Sequence, residues 1–409
     1  MTGEAAVATP VDPAAEPPRC DILVQLAGCR TADEIREGTR RVVDGLRGLG
    51  DDLTIGIACG SDCGALSVDA GGAAIVPVDA APPERFPIVG AVPTDAYRAL
   101  FDAGRRSGAR AMALIGTEVD QLTPGVARAL LQPIIADDFD VVVPVYDRQV
   151  YDGLLNAAIV YPLTRALYGR RIPGQLGVDF GFSARVAERL SQGGQNPRLR
   201  RPVWILPQAI ADDMRICQAV LGVRLPAPPD SIDLATVFAQ VLGSLFVDME
   251  QRAPFWQRVQ RSQAVPTFGT AAPGRAPAGP VDVRPMIESF VNAFRNLQRV
   301  WTILLPPATL VALKRLTLVE PERFRLPDDL WARIVYDFAL GHRLRVINRD
   351  HLLGALVPLY LAWVASYALE VQGATPAAAD VRIERLCAAF EAEKPYLVRR
   401  WRWPDRFNP

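Results

Sequence analysis

Glu118-Val119-Asp120 places two carboxylates two residues apart, directly after the apolar run 111–115 (AMALI) and ahead of Thr123-Pro124. If the backbone there stays extended, residues i and i+2 project from one side, and the pair can hold a hard divalent cation against a diphosphate. Acidic residues ahead of a helix N-terminus also interact well with its dipole, so both roles stay open. Residues 177–183 (GVDFGFS) set one carboxylate, Asp179, between glycines and aromatics, a loop able to present it to a sugar hydroxyl or a turn in which it caps the next helix. Tyr146-Asp147-Arg148 and Tyr151-Asp152-Gly153 follow a buried apolar run; tyrosine faces stack on sugars or bases and arginine pairs with phosphate, though a solvated loop has the same composition. Cys59 and Cys63 form a CxxxC pair with no second pair after it, and the two histidines, His342 and His351, lie far downstream, so buried or loop cysteines are expected there rather than a metal site.

These groups need a scaffold, and the apolar periodicity supplies one. Short buried runs at 21–26, 53–58, 73–78, 111–115 and 140–145 read as strands. Helical spacing fills 31–49, 94–107 and 126–135, with Thr123 as N-cap and Pro124 at the first helical position. Strands alternating with helices argue for βαβ units and a largely parallel sheet, whose ligands sit at the carboxyl ends of the strands. Beyond residue 150 the pattern turns helical, at 151–167, 183–190 and 231–251, with one more strand at 215–225. Residues 265–280 are rich in Pro, Gly and Ala and read as a link or long loop, and only helices are expected from Val283 onward. The expected division is a tail over 1–19, an α/β domain over 20–264, a linker over 265–282 and a helical domain over 283–409.

Lys plus Arg and Asp plus Glu both total 45, so the whole-chain field gives no footprint for nucleic acid. Six cysteines scattered through 409 residues do not make a secreted disulfide scaffold, and reduced thiols in a cytoplasm are expected. Residues 2–19 lack the basic and apolar regions of a signal peptide. Residues 352–369 carry no formal charge but contain Pro358, and a buried helix, or two broken at Pro358, is preferred to a membrane span. Near the C-terminus, Arg399, Arg400, Arg402 and Arg406 interleave with Trp401 and Trp403, a composition suited to an interface or lipid surface, or to a tail packed across its own domain.

Several segments together resemble bacterial glucosylglycerate-type and mannosylglycerate-type synthases, the glucosyl-3-phosphoglycerate synthase-like retaining glycosyltransferases of the GT-A type. The resemblance is carried by DILV at 21–24, LTP at 122–124, YDRQVYDG at 146–153, IVYPLTRALYGRRI at 159–172 and GVDFGFS at 177–183. It continues in RICQAVLGVRL at 215–225, PDDLWARIVYDFA at 327–339 and RDHLLGALVPLYL at 349–361. It implies a GT-A, Rossmann-like α/β nucleotide-sugar domain with a mostly helical C-terminal region. It further implies a UDP- or GDP-hexose donor, a small hydroxylated or carboxylated acceptor, and Mg²⁺ or Mn²⁺; no nucleic-acid partner or membrane span is expected, and a homo-oligomer is allowed for. On this resemblance Glu118 and Asp120 would hold the metal, Arg148 and Tyr146 the donor's phosphates and pocket wall, Tyr151 and Asp152 the acceptor, and Asp179 the acceptor or sugar at the catalytic centre.

The departures fall where such enzymes do chemistry. Gly116-Thr117-Glu118 stands where they have an Asp-Ser-Asp-like motif, and Pro226 falls near their histidine ligand. Residues 25–31 (QLAGCRT) replace a polar nucleotide-holding loop, and Val92-Pro93-Thr94 replaces a Gly-Lys-Gly-like turn. The alternative is therefore a glycosyltransferase-like binding or scaffold protein that has lost metal-dependent transfer.

Overall fold

The computed structural model describes residues 17–29, 31–50, 52–59, 72–78, 94–191, 205–224, 233–270 and 277–404. In chain order the elements are β1 (Ile22–Leu26), α1 (Ala32–Leu46), β2 (Ile55–Cys59), β3 (Ala74–Pro77), α2 (Thr94–Ser107), β4 (Ala111–Ile115), α3 (Pro124–Asp137) and β5 (Val141–Asp147). A π-helical turn (Asn156–Val160) then leads into α4 (Tyr161–Tyr168), followed by β6 (Arg170–Arg171), β7 (Asp179–Ser183), α5 (Ala184–Ser191), α6 (Ile205–Ala211) and β8 (Ile216–Arg224). Next come α7 (Leu234–Gln251), α8 (Ala253–Trp256), β9 (Gln263–Ala264), β10 (Thr267–Phe268), α9 (Arg284–Asn296), α10 (Gln298–Leu304) and α11 (Pro307–Leu316). A 3-10 turn at Pro321–Arg323 precedes α12 (Asp328–Leu344), α13 (Arg349–Val371) and α14 (Pro376–Arg402). The class is α/β, a Rossmann-like sheet with a mostly helical C-terminal region, as expected.

The chain divides into two units that interleave along the sequence: Met1–Asp147, Leu176–Pro228 and Val265–Ala272 in one, Arg148–Gln175, Pro229–Ala264 and Pro273–Pro409 in the other. This differs from the expected division at 264 and 283. Segments 148–175 and 229–264 belong to the helical unit, and part of the expected linker is strand β10 of the sheet.

The sheet unit holds eight strands in the order β10-β8-β5-β7-β4-β1-β2-β3. Neighbours pair in parallel except β7, which runs antiparallel to both β4 and β5. Residues 179–183 are thus an interior strand, where the sequence suggested a loop. Alternation explains it: Phe180 and Phe182 turn to one face, where Phe182 meets Tyr97 and Phe101 of α2 edge-on at 5.9 and 5.0 Å. Gly181 turns to the other face, where a Cβ would lie 2.3 Å from the Leu130 carbonyl oxygen of α3. Helix α1 begins in a capping box, the Thr31 hydroxyl accepting from the Glu34 amide and the Glu34 carboxylate from the Thr31 amide, both at 3.2 Å. Pro124 opens α3 as expected, although the Thr123 hydroxyl makes no capping bond.

In the helical unit α13 runs unbroken through Pro358. It is long and apolar enough to cross a membrane, yet 72% of its apolar window is buried inside the protein, which is the expected buried helix. Trp363 stacks on Tyr367 at 5.1 Å and on Trp331 at 6.4 Å, and the Trp331 indole donates to the Ala158 carbonyl in the π-helical turn at 2.9 Å. Arg165 of α4, nearly enclosed, reaches Glu384 and Glu391 of α14 at 2.5 and 3.1 Å. Cys20, Cys29, Cys217 and Cys387 are free thiols, whereas Cys59 is disulfide-bonded, a correction to the expectation of reduced thiols throughout. Cys63 lies outside the described residues, as do Pro226, Val92-Pro93 and Arg406.

Candidate functional site

Parallel strands bring the carboxyl ends of β1, β2, β3 and β4 to one edge of the sheet, and β7, running the other way, begins there with Asp179 opposite Ile115. Strand order runs outward from β1 through β2 to β3 and then returns to β4 on the other side, so β1 and β4 flank a topological switch point. Open α/β sheets take ligands at such a point because the two loops diverge and leave a crevice.

Both loops at this point are braced. The Gly28 amide donates to the Ile115 carbonyl at 3.1 Å, and a Cβ on Gly28 would lie 2.4 Å from the Thr117 carbonyl oxygen, so only glycine lets the β1 loop close on the β4 loop. Arg41 of α1 donates to the Val119 carbonyl and, at 2.9 Å, to the Leu122 carbonyl. From beneath, Asp179 accepts at one oxygen from the amides of Gly116 (2.9 Å) and Thr117 (3.0 Å) and at the other from the hydroxyls of Thr117 (2.7 Å) and Tyr146 (2.6 Å). The Tyr146 oxygen in turn accepts the amides of Val178 and Asp179 at 2.9 and 3.1 Å.

This network corrects the expectation for two residues. Asp179 is 0% exposed with both oxygens taken by protein donors, so it positions the loop and does not present a carboxylate to a sugar. Burial pushes its carboxyl above the usual range, against the pull of the four donors. Tyr146 is buried too, its phenol pushed well up by burial first and the Asp179 charge second, and it holds Asp179 instead of offering a stacking wall. Gly116, Thr117, Gly28 and Arg41 carry the loop and were not singled out as site residues. Their sequence signal was weak, since a brace made largely to backbone carbonyls and amides leaves only two glycines, a threonine and a distant arginine to read.

Glu118 and Asp120 are both exposed on this loop. The strand ends at Ile115, and the Glu118 carbonyl accepts from the amides of Gln121 and Leu122, both at 3.0 Å, so the backbone turns here and the extended i, i+2 geometry does not apply. Among the described residues no three His, Cys, Asp or Glu side chains gather as a metal-holding group.

The remaining predicted residues lie in the helical unit. Arg148 pairs with Asp380, Tyr151 donates to the Gly279 carbonyl at 2.9 Å, and Asp152 accepts the Gln149 amide at 2.8 Å, closing a turn. Arg148, Asp152, Tyr367 and Asp380 line a small pocket with Ala157 of the π-helical turn as part of its wall. Single-turn π segments often mark functional positions.

No protein-family model matches the chain, and no curated protein matches it. Among solved structures, a mycobacterial protein is similar at 19% identity over 56% of this chain and 74% of that one, with a TM-score of 0.39. Glucosyl-3-phosphoglycerate synthase from Mycobacterium tuberculosis, in complex with phosphoglyceric acid, is similar at 15% identity over 57% of this chain and 80% of that one, with a TM-score of 0.38. The same enzyme with Mn²⁺, uridine-diphosphate-glucose and phosphoglyceric acid gives 16% identity, the same coverage and a TM-score of 0.37.

Proposed function

We propose that this chain is a glycosyltransferase taking a hexose from a nucleoside diphosphate sugar, with the donor at the β1–β4 switch point. The observation that supports it is the exposed pair Glu118 and Asp120 on a loop braced by Asp179, Gly28 and Arg41. Carboxylate oxygens suit Mg²⁺ or Mn²⁺, and Mg²⁺ in such sites is commonly held by one or two carboxylates plus phosphate oxygens, so this loop fits a cation that arrives with the donor. Bound there, the cation would offset negative charge growing on the departing diphosphate. Asp179 and Tyr146 keep the loop in register for that task. In the helical unit Arg148 supplies a guanidinium fork for an anionic phosphate or carboxylate group, which must compete with Asp380; Tyr151 and Asp152 shape the turn beside it.

A second reading, a binding or scaffold protein on the same fold, is favoured by the sealed Asp179 and by the absence of a three-ligand metal group among the described residues. Thermal unfolding with UDP, GDP and their sugar conjugates, each with and without Mn²⁺, separates them, because a ligand that binds the native state raises its melting temperature. A Mn²⁺-dependent shift lost in Glu118→Ala, with release of nucleotide from the sugar conjugate when acceptors are supplied, supports the transferase. A shift without turnover supports the binding protein, and no shift with any nucleotide removes the donor site altogether.

A further inference from the structure

Three segments of the helical unit meet at the C-terminal end of α14. Arg343 at the end of α12 donates to the Trp401 carbonyl at 2.7 Å and lies over the Trp401 ring at 4.5 Å. Trp401 packs edge-on against Trp256 at 5.2 Å, and Arg402 donates to Gln257 at 3.0 Å. Segments 252–264, 340–349 and 396–404 together contain nine arginines and no Asp or Glu, in a chain whose charges balance as a whole. Arg252, Arg349 and Arg400 are paired with Asp248, Glu250 and Asp337. Arg258, Arg261, Arg345, Arg399 and Arg402 are exposed, and none of the five makes an ion pair among the described residues.

Large apolar side chains stand exposed on two of the same segments. Trp403 is 78% exposed, Leu344 42% and Val346 39%. Favourable placement of cations at a helix C-terminus accounts for Arg399 and Arg402 at the end of α14 and for Arg345 as the C-cap of α12, but not for Arg258 and Arg261, nor for a solvated indole. We propose that this face docks the protein on a bilayer surface carrying anionic lipid, with Trp403, Leu344 and Val346 entering the interfacial layer and the five arginines meeting headgroup phosphates. The mixture selects this occupant: tryptophan is favoured at the headgroup level, and aliphatic side chains add insertion that a purely electrostatic partner such as nucleic acid does not use. The contact is peripheral and independent of the donor site, so it stands or falls separately from the transferase reading.

The full-length chain is to be sedimented with phosphatidylcholine vesicles and with vesicles in which about a third of the lipid is phosphatidylglycerol, at low and high salt. The expected result is binding to the anionic vesicles only, weakened by salt, with a blue shift of tryptophan emission that Trp403→Ser diminishes. Arg345→Glu with Arg402→Glu should weaken binding by roughly tenfold or more while leaving the thermal midpoint unchanged; Arg258→Glu serves the same purpose should that pair misfold. Equal binding to neutral vesicles, no binding to either, or binding indifferent to these substitutions overturns the proposal. So does a change of molecular mass by light scattering in Trp403→Ser, which would assign the face to a second copy, or tighter retention on an RNA homopolymer than on the vesicles.

Discussion

The Tyr146 hydroxyl donates to Asp179 at 2.6 Å while accepting the amides of Val178 and Asp179, so one phenol oxygen closes a ring between β5 and the start of β7. Tyr146→Phe removes a donor from a buried carboxylate and leaves two buried amides short of an acceptor. The expected loss is about 1–3 kcal/mol, since buried groups left unsatisfied cost most of their desolvation. Urea unfolding of the two proteins checks it; an unchanged midpoint would mean that water replaces the phenol and that the network is not closed.

Gly28→Ala tests the brace from the opposite side. Its Cβ would lie 2.4 and 2.6 Å from the Thr117 and Gly116 carbonyl oxygens, which are backbone and cannot swing away, so the β4–α3 loop has to shift. A cost of about 1–3 kcal/mol is expected, together with weaker nucleotide binding. Gly354→Ala is the control: it lies within α13 with nothing within 4 Å of the added Cβ, so the change should be neutral or stabilising by about 0.5–1 kcal/mol.

Glu118→Ala and Asp120→Ala should leave stability within about 0.5 kcal/mol of the parent, because both side chains are exposed. Any loss of a Mn²⁺-dependent nucleotide shift in either variant then reports on the ligand and not on the fold. If both variants unfold several degrees early, the carboxylates serve the loop itself and the metal assignment fails.

The sequence made the sheet legible where apolar runs were unbroken, as at 111–115, and where a helix start carried its own chemistry, as at Thr123-Pro124. Strand β7 was misread because glycine at 181 and the charge at 179 look like loop residues. Only the tertiary setting, with α3 pressed on Gly181 and four donors around Asp179, makes that composition fit a strand. The same holds for the site. Residue types single out carboxylates, but whether one faces solvent or the protein depends on partners far away in sequence: Tyr146 and Thr117 lie 33 and 62 positions from Asp179. Interleaving of the two units was illegible for a related reason, since helical periodicity at 148–175 says which face is apolar but not which partner covers it.

Lys394 of α14 gives a pH test of the helical unit. Its ammonium donates to the carbonyls of Ala166 and Val259, both at 2.6 Å, and burial pulls its pKa down to about 8, with Glu391 opposing. Unfolded lysine titrates near 10.4, so between about pH 8 and about pH 10 the unfolded chain binds the extra proton. The penalty for burying the charge is therefore fully present below about pH 8 and is relieved as pH rises through that window. Buried thiols act in the opposite sense: Cys29, Cys217 and Cys387 are pushed up to about 12 by burial, the folded chain retains their protons longer, and their contribution falls with rising pH. Total stability thus mixes two slopes, and the informative quantity is the difference between the parent and Lys394→Met, in which the thiol contributions cancel. That difference should move in favour of the parent as pH is raised from about 7 to about 10. A difference flat across the range would show that Lys394 keeps an ordinary pKa and that its two carbonyls, with Glu391 nearby, fully offset its burial.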